Sequence, residues 1–188
     1  PDASAGNGSR GLCARALGEG VLLPGQRGGT PVNPRRATGV RWRIATVSPE
    51  VAIADPLTNA ERIAEAATDA AGQGAKLVVF PELALSSYTA GDLLHTSTVR
   101  EASLVGLKHI LERTRHLDTI LAIGLPYEAP NGRLYNAAFV VQAGKVLGAV
   151  PKSYLPTYKE FYEERYLQSG RDVRLTVRDP LLGEFHFG

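Results

Sequence analysis

The sequence predicts an α/β domain in which helices pack against a mixed β-sheet. From about residue 40, strand-like and helix-like segments follow in the order strand, helix, strand, helix, strand, strand, strand. A strand, a helix and a further strand favour parallel pairing, whereas the turn signal Asn131-Gly132 favours an antiparallel hairpin. The run at 76–80 is almost entirely apolar, which is typical of a strand covered on both faces.

The first 39 residues differ from the rest of the chain in composition. They hold nine Gly, four Pro and five Arg, with no helical or strand periodicity. We expect residues 1–39 to be a flexible tail, because such a stretch buries too little apolar surface to offset its ordering entropy. The single cysteine, Cys13, lies in this tail without a recognisable base or pocket nearby, so we interpret it as a bystander. The folded domain is expected to span 40–188.

The first strand and the first helix have clear signals. Residues 42–47 alternate as a strand does, and Asp55-Pro56 supplies an N-cap followed by proline at the first helical position. The helix is predicted over 56–72, and Gly72 and Gly74 end it. Its apolar residues fall at three- and four-residue spacing and should face the sheet: Leu57, Ala60, Ile63, Ala64, Ala67, Ala70 and Ala71.

The remaining elements follow from the same patterns. A second helix is predicted over 97–116, followed by strands at 119–125, 134–142 and 146–150. Ala143-Gly144 should form the turn between the last two strands. In the second helix, the residues expected to face the core are Val99, Val105, Ile110 and Leu111.

Composition excludes several classes of protein. The 188 residues are 44% hydrophobic and 21% charged, which is ordinary for a globular domain. No apolar run is long enough for a membrane helix, and no secretory signal pattern opens the chain, so we expect a cytoplasmic protein. The net charge of +2 is too small and too scattered to indicate nucleic-acid binding. One cysteine allows no Cys/His metal cluster, and no glycine-rich phosphate-binding loop follows a strand.

Glu82 is the first candidate for chemistry. It follows the buried strand 76–80 through Pro81, and the carboxyl ends of parallel strands are where α/β sheets place reacting groups. Walled by Phe80, Leu83 and Leu85, its carboxylate would be partly desolvated and suited to general-base work. The alternative is a solvated loop glutamate.

Lys152 is the second candidate. It follows another strand through Pro151, so two strand ends deliver opposite charges. If the two charges share one cleft, the ammonium group could stabilise an oxyanion while Glu82 transfers a proton. The alternative is an ordinary solvated lysine.

Tyrosines recur every four residues after Lys152, at positions 154, 158, 162 and 166. At helical spacing, such a stripe most often packs on a core or on a partner subunit. The alternative is that tyrosine hydroxyls and nearby carboxylates recognise the polar ends of an amino-acid substrate.

Two blocks of sequence resemble a known family. They are Val78-Val79-Phe80-Pro81-Glu82-Leu83 with Ser86 to Tyr88, and Val150-Pro151-Lys152-Ser153-Tyr154-Leu155-Pro156-Thr157-Tyr158 continuing through Phe161-Tyr162-Glu163. They are similar to the first two catalytic blocks of the nitrilase, or carbon-nitrogen hydrolase, superfamily. The second block is most similar to the glutaminase domain of bacterial glutamine-dependent NAD synthetases. The resemblance runs from about Arg43 to the end and implies part of an α-β-β-α layered sandwich.

The resemblance also implies roles for particular residues. Glu82 matches the family's general base, and Lys152 matches its oxyanion-stabilising lysine. Glu163 matches a second glutamate in the active-site neighbourhood, while Tyr88 and Tyr158 match tyrosines that line the glutamine pocket. The family's nucleophile is a cysteine in a third block, which the printed sequence does not contain and which we expect after Gly188.

The function implied by the resemblance is glutamine hydrolysis that supplies ammonia for the amidation of deamido-NAD. No cofactor is implied for this segment; ATP and magnesium would belong to a synthetase domain of the same protein, and a homo-oligomer is expected. Two alternatives stay open: a free-standing amidase of the same superfamily, and a non-catalytic fragment or pseudoenzyme.

Overall fold

The computed structural model describes Ala14–Arg15 and residues 41–188. The predicted tail, with Cys13 and the predicted domain start at Val40, otherwise lies outside the described residues. Ala14 and Arg15 form a short strand, where we expected no regular structure. The elements are β1 (Ala14–Arg15), β2 (Ile44–Val47), α1 (Pro56–Gly72), β3 (Leu77–Val79), a 3₁₀ segment (Tyr88–His95), α2 (Ser97–Arg113), β4 (Ile120–Glu128), β5 (Leu134–Gln142), β6 (Lys145–Pro151), α3 (Glu163–Tyr166), β7 (Leu175–Asp179) and β8 (Gly183–Phe187).

The described strands form one mixed sheet in the order β1-β2-β3-β4-β5-β6-β8-β7. Strands β2, β3 and β4 are parallel, and β4, β5 and β6 are antiparallel neighbours. This confirms the predicted α/β class and the change of direction at Asn131-Gly132. The β7–β8 hairpin was not predicted, because charged residues such as Arg178 and Glu184 interrupt its apolar pattern.

An N-cap and a stripe of small apolar residues define α1. The Asp55 carboxylate accepts hydrogen bonds from Thr58 N at 3.1 Å and from Thr58 Oγ1 at 2.7 Å. Five alanine or isoleucine side chains of the predicted stripe are buried: Ala60, Ile63, Ala64, Ala67 and Ala70. Leu57 is 51% exposed, contrary to the prediction.

Helix α2 packs on α1 through a small residue. A Cβ at Gly106 would lie 3.0 Å from Pro56 O and 3.3 Å from Ala60 Cβ, so the two helices lie close together here. Val105 is 48% exposed rather than buried. It lies two positions before the buried Leu107, which is more than half a helical turn, so it is on the opposite side of the helix.

The two faces of the sheet differ. Strands β4 and β5 contribute alternate residues such as Ile123 and Phe139 to a continuous core. On the other face, Leu147 and Val150 of β6 are 52% and 55% exposed. In the described part of the chain, no helix has the length and apolar character needed to cross a membrane.

The segment after β6 corrects the helical interpretation of the tyrosines. The chain is irregular from 152 to 162, and only Glu163–Tyr166 is helical. Pro156 lacks a backbone donor, and Lys159 has a φ of 54°, so a continuous helix cannot form. Consequently three of the four tyrosines are exposed rather than packed in a core: Tyr154, Tyr158 and Tyr162.

Candidate active site

The chain leaving β3 crosses the neighbouring strand β4 at Gly124. A Cβ at Gly124 would lie 2.5 Å from Leu83 N and 2.6 Å from Pro81 O, so only glycine leaves room for this crossing. The crossing segment is tied down where Leu85 N donates to Gly124 O at 3.2 Å. It therefore carries Glu82 past β4 and above the start of β5.

Lys152 reaches the same place from the end of β6. Its backbone N donates to Asn136 O at 2.8 Å, and its backbone O accepts from Gly170 N at 2.9 Å. Its Nζ donates to Glu82 Oε1 at 2.8 Å. The side chain of Asn136, in β5, also donates to Glu82 Oε1.

The two charges meet although their strands are not neighbours. Neighbouring strands would bring Glu82 and Lys152 together directly, but β4 and β5 separate β3 from β6. Three steps between strands span about 14 Å, which is more than the two side chains would bridge from the strand ends alone. The crossing at Gly124 carries Glu82 over β4, one of the two intervening strands.

Glu163 completes the cluster as the first residue of α3. The loop 152–162 folds back on itself at its end, where Glu163 N donates to Pro156 O at 3.2 Å. Its side chain is 4% exposed and its carboxylate lies 2.8 Å from Lys152 Nζ. Tyr88 Oη donates to Glu163 Oε1 at 2.8 Å. The ammonium group and the phenol both donate to Oε1 of this nearly buried carboxylate, whereas the buried Oε2 has no hydrogen-bond partner among the described residues although Lys152 Nζ lies 2.8 Å from it.

Charge pairing keeps Lys152 protonated. Burial by itself would lower the pKa of Lys152, but hydrogen bonds and charges from Glu163 and Glu82 outweigh it and raise the pKa. Burial, together with the hydrogen bond to Glu163, raises the pKa of Tyr88 well above its usual range. At neutral pH the cluster therefore holds a cation and a phenolic donor.

Cavities lie beside this cluster. One of about 570 Å³ opens on the less covered sheet face, with Glu82, Asn136 and Lys152 in its wall and mostly apolar side chains around them. A second of about 250 Å³ is lined by Tyr88 and Glu163 among others. A cleft of about 380 Å³ between the start of α2 and the end of β4 contains none of the predicted site residues. The first cavity is therefore the place where a small substrate would meet both charges.

The structure brings together four of the five predicted site residues: Glu82, Lys152, Glu163 and Tyr88. Tyr158 stays apart, 62% exposed and with its ring against Phe161, and its substrate-binding role stays a prediction. Glu82 is less enclosed than expected: its side chain is 40% exposed, and the three expected wall residues, Phe80, Leu83 and Leu85, are buried in the core.

Sequence reasoning missed Asn136 and Gly124. Asparagine is disfavoured inside strands, so Asn136 within an otherwise apolar strand was an available signal. Gly124 in the middle of an apolar strand was another, since such a glycine often marks a close backbone approach. Within the described residues, no group of three or more His, Cys, Asp or Glu side chains is placed to hold a metal ion.

Comparison with known proteins gives concordant results. Residues 43–185 match the family model described as carbon-nitrogen hydrolase. The chain is 40% identical over 136 residues to the glutamine-dependent NAD(+) synthetase of Mycobacterium bovis, covering 72% of this chain and 20% of that protein. It is 36% identical over 120 residues to the Aquifex aeolicus synthetase of the same name, covering 64% of this chain and 21% of the relative. The chain thus spans about a fifth of the length of these relatives.

Solved structures show the same fold. The glutamine-dependent NAD(+) synthetase of Cytophaga hutchinsonii superposes with a TM-score of 0.71 at 25% identity, over 78% of this chain and 25% of that one. An amidase of the nitrilase superfamily from Nesterenkonia AN1 superposes with a TM-score of 0.58 at 24% identity, over 73% of this chain and 52% of that one; this likeness concerns the fold. With the family model matching most of its length, the chain belongs to the carbon-nitrogen hydrolase family.

Proposed function

We propose that the protein containing this segment hydrolyses the side-chain amide of glutamine and that Glu82 and Lys152 take part in the reaction. The observation that carries the proposal is the Lys152 ammonium group, held 2.8 Å from both Glu82 and Glu163 at the wall of a mostly apolar cavity. The identity to glutamine-dependent NAD(+) synthetases supports glutamine as the substrate.

The proposed chemistry begins when Glu82 accepts the proton of a cysteine thiol and the resulting thiolate attacks the amide carbon. The carbonyl oxygen becomes an oxyanion, and the Lys152 ammonium group stabilises it. Glu82 transfers a proton to the departing nitrogen, which leaves as ammonia, and a thioester remains. Glu82 then accepts a proton from a water molecule as that water attacks the thioester, which releases glutamate and the thiolate, and Glu82 returns its proton to the thiolate.

The choice of a cysteine as the nucleophile in this scheme rests on the family resemblance. Cys13, the one cysteine of the printed sequence, lies outside the described residues, and the scheme does not assign it the role of nucleophile. The remaining roles are divided between Glu163, which holds Lys152 in place, and Tyr88 and Tyr158, which contact glutamine.

The fate of the ammonia is the second part of the proposal. Relatives named glutamine-dependent NAD(+) synthetases are about three to four times as long as this chain, since 136 aligned residues make up 20% of one and 120 aligned residues make up 21% of another, which leaves room for a synthetase domain. In that domain ATP and magnesium would activate deamido-NAD for amidation by ammonia. We expect the reaction in the cytoplasm and in a homo-oligomer.

The test compares glutamine-driven with ammonia-driven NAD formation in the intact protein. Glu82→Gln and Lys152→Ala should each lower the glutamine-driven rate by roughly 100- to 10,000-fold. The ammonia-driven rate should stay within about twofold, because free ammonia bypasses amide cleavage. Exposed residues provide matched controls: Lys145→Ala at the other end of β6 and Glu65→Gln on α1 should change neither rate.

Two outcomes would contradict the proposal. Equal losses in both reactions would mean that Glu82 and Lys152 support the fold alone. No loss in either would mean that they are surface charges. Hydrolysis of simple amides with no synthesis of NAD from ammonia would instead favour a free-standing amidase.

A further inference from the structure

Asn136 occupies an unusual position within β5. It is 4% exposed and lies in the interior of a nine-residue strand whose other members are mainly apolar. Asparagine is depleted from strands, and a buried amide is costly without hydrogen-bond partners. The hydrogen-bond partners of Asn136 should therefore indicate why an amide occupies this buried position.

Asn136 contacts both charged residues of the candidate active site. Its side-chain Nδ2 donates to Glu82 Oε1, and its backbone O accepts from Lys152 N at 2.8 Å. The amide orientation is fixed by chemistry, because a carboxylate oxygen only accepts and Nδ2 is the donor of the amide. One residue of β5 thus aligns the carboxylate carried over β4 and the lysine at the end of β6.

The contacts of Glu82 are unequal between its two oxygens. The Asn136 amide and the Lys152 ammonium group both donate to Oε1, the latter at 2.8 Å. Oε2 carries neither contact. Because Oε1 accepts two hydrogen bonds, rotation of the carboxylate is restrained, and the two oxygens of Glu82 differ in their chemical surroundings.

We propose that Asn136 is a positioning residue: by holding Oε1 of Glu82 beside Lys152, it leaves Oε2 as the oxygen that exchanges the proton with substrate and water. This inference rests on the proposed function of Glu82. It assigns Asn136 no contact with the substrate.

The experiment measures glutamine hydrolysis by the intact protein as a function of pH for wild type, Asn136→Leu and Asn136→Asp. Leucine keeps the volume and removes the donor, whereas aspartate keeps the shape and replaces the donor by a negative charge. We expect kcat to fall about 10- to 100-fold with KM within about threefold, because the carboxylate is misplaced while substrate contacts remain.

The pH profile provides a readout that a packing role would not change. A donor to a carboxylate favours its ionised form, so its loss should move the acid limb of the rate profile upward by about one pH unit. The shift should be larger for Asn136→Asp than for Asn136→Leu. Gln142→Leu is the matched control: at the other end of β5, its amide donates to Asp118 Oδ1 at 3.2 Å, away from the site.

The outcomes separate the inference from the proposed function. If wild type does not hydrolyse glutamine, or Glu82→Gln retains full activity, the proposed function fails and the role of Asn136 fails with it. If those results are as proposed but Asn136→Leu keeps the wild-type kcat and acid limb, only the positioning role is wrong. The positioning role would also be overturned if both Asn136 variants lost ammonia-driven synthesis as much as glutamine-driven synthesis, because Asn136 would then be needed for folding.

Discussion

Replacing Gly124 by alanine tests how the fold delivers Glu82 to the site. The added Cβ would lie 2.5 Å from Leu83 N and 2.6 Å from Pro81 O, whereas ordinary contact begins at 3.4 Å. Those atoms are backbone and flank Glu82, so the crossing segment must move by about 0.8 to 0.9 Å, the shortfall from ordinary contact. A shift of this size would break the 2.8 Å contact between Lys152 Nζ and Glu82 Oε1.

The expected effects concern both activity and stability. Misplacement by about 1 Å typically costs on the order of 100-fold in rate, so glutamine-driven turnover should fall by that factor in Gly124→Ala. Overpacking should lower the free energy of unfolding by about 1 to 3 kcal/mol. The assays are the paired glutamine- and ammonia-driven rates of the intact protein and urea unfolding of this chain.

Gly148→Ala is the matched control in the same sheet. A Cβ at Gly148 meets nothing nearer than His186 O at 3.4 Å, which is ordinary contact. Alanine there should leave turnover unchanged and stability equal or slightly higher, because glycine weakens a strand interior. If Gly124→Ala were as active and as stable as Gly148→Ala, the crossing would not be a steric requirement.

Two further predictions concern pH. Hydrogen bonds from Thr58 lower the pKa of Asp55, so its stabilising effect is present above the ordinary value of 3.8 and is lost as pH falls. Asp55→Ala should lower the melting temperature at pH 7 with a gap that narrows below pH 3.8, while Asp55→Ser should keep the cap; equal melting of both variants would contradict this. The pKa of Lys152 is raised, so its stabilising effect is full below 10.5 and is lost at higher pH. The difference in unfolding free energy between wild type and Lys152→Met should shrink above that pH, and a constant gap from pH 8 to pH 12 would refute the pairing.

Much of the fold follows from local sequence. The cap at Asp55, the Asn131-Gly132 turn and the apolar strands are patterns of a few neighbouring residues, and the elements they predict are present. The same holds for Pro81-Glu82 and Pro151-Lys152, because each pattern places a charged residue on the segment that leaves a strand. The family resemblance added Glu163, which no local pattern distinguishes from the neighbouring Glu164.

Tertiary structure decided how these pieces meet. Strand order cannot be read from a strand's own residues, so the separation of β3 from β6 and the need for glycine at 124 became visible only in the assembled sheet. The tyrosine spacing indicated a helix that Pro156 and the backbone at Lys159 exclude. The role of Asn136 could be inferred only from its hydrogen bond to Glu82, which is 54 residues away in sequence. The sequence by itself determined which charged residues stand at strand ends; the tertiary structure decided that they share one cavity, because that depends on which strands pair and where the chain crosses them.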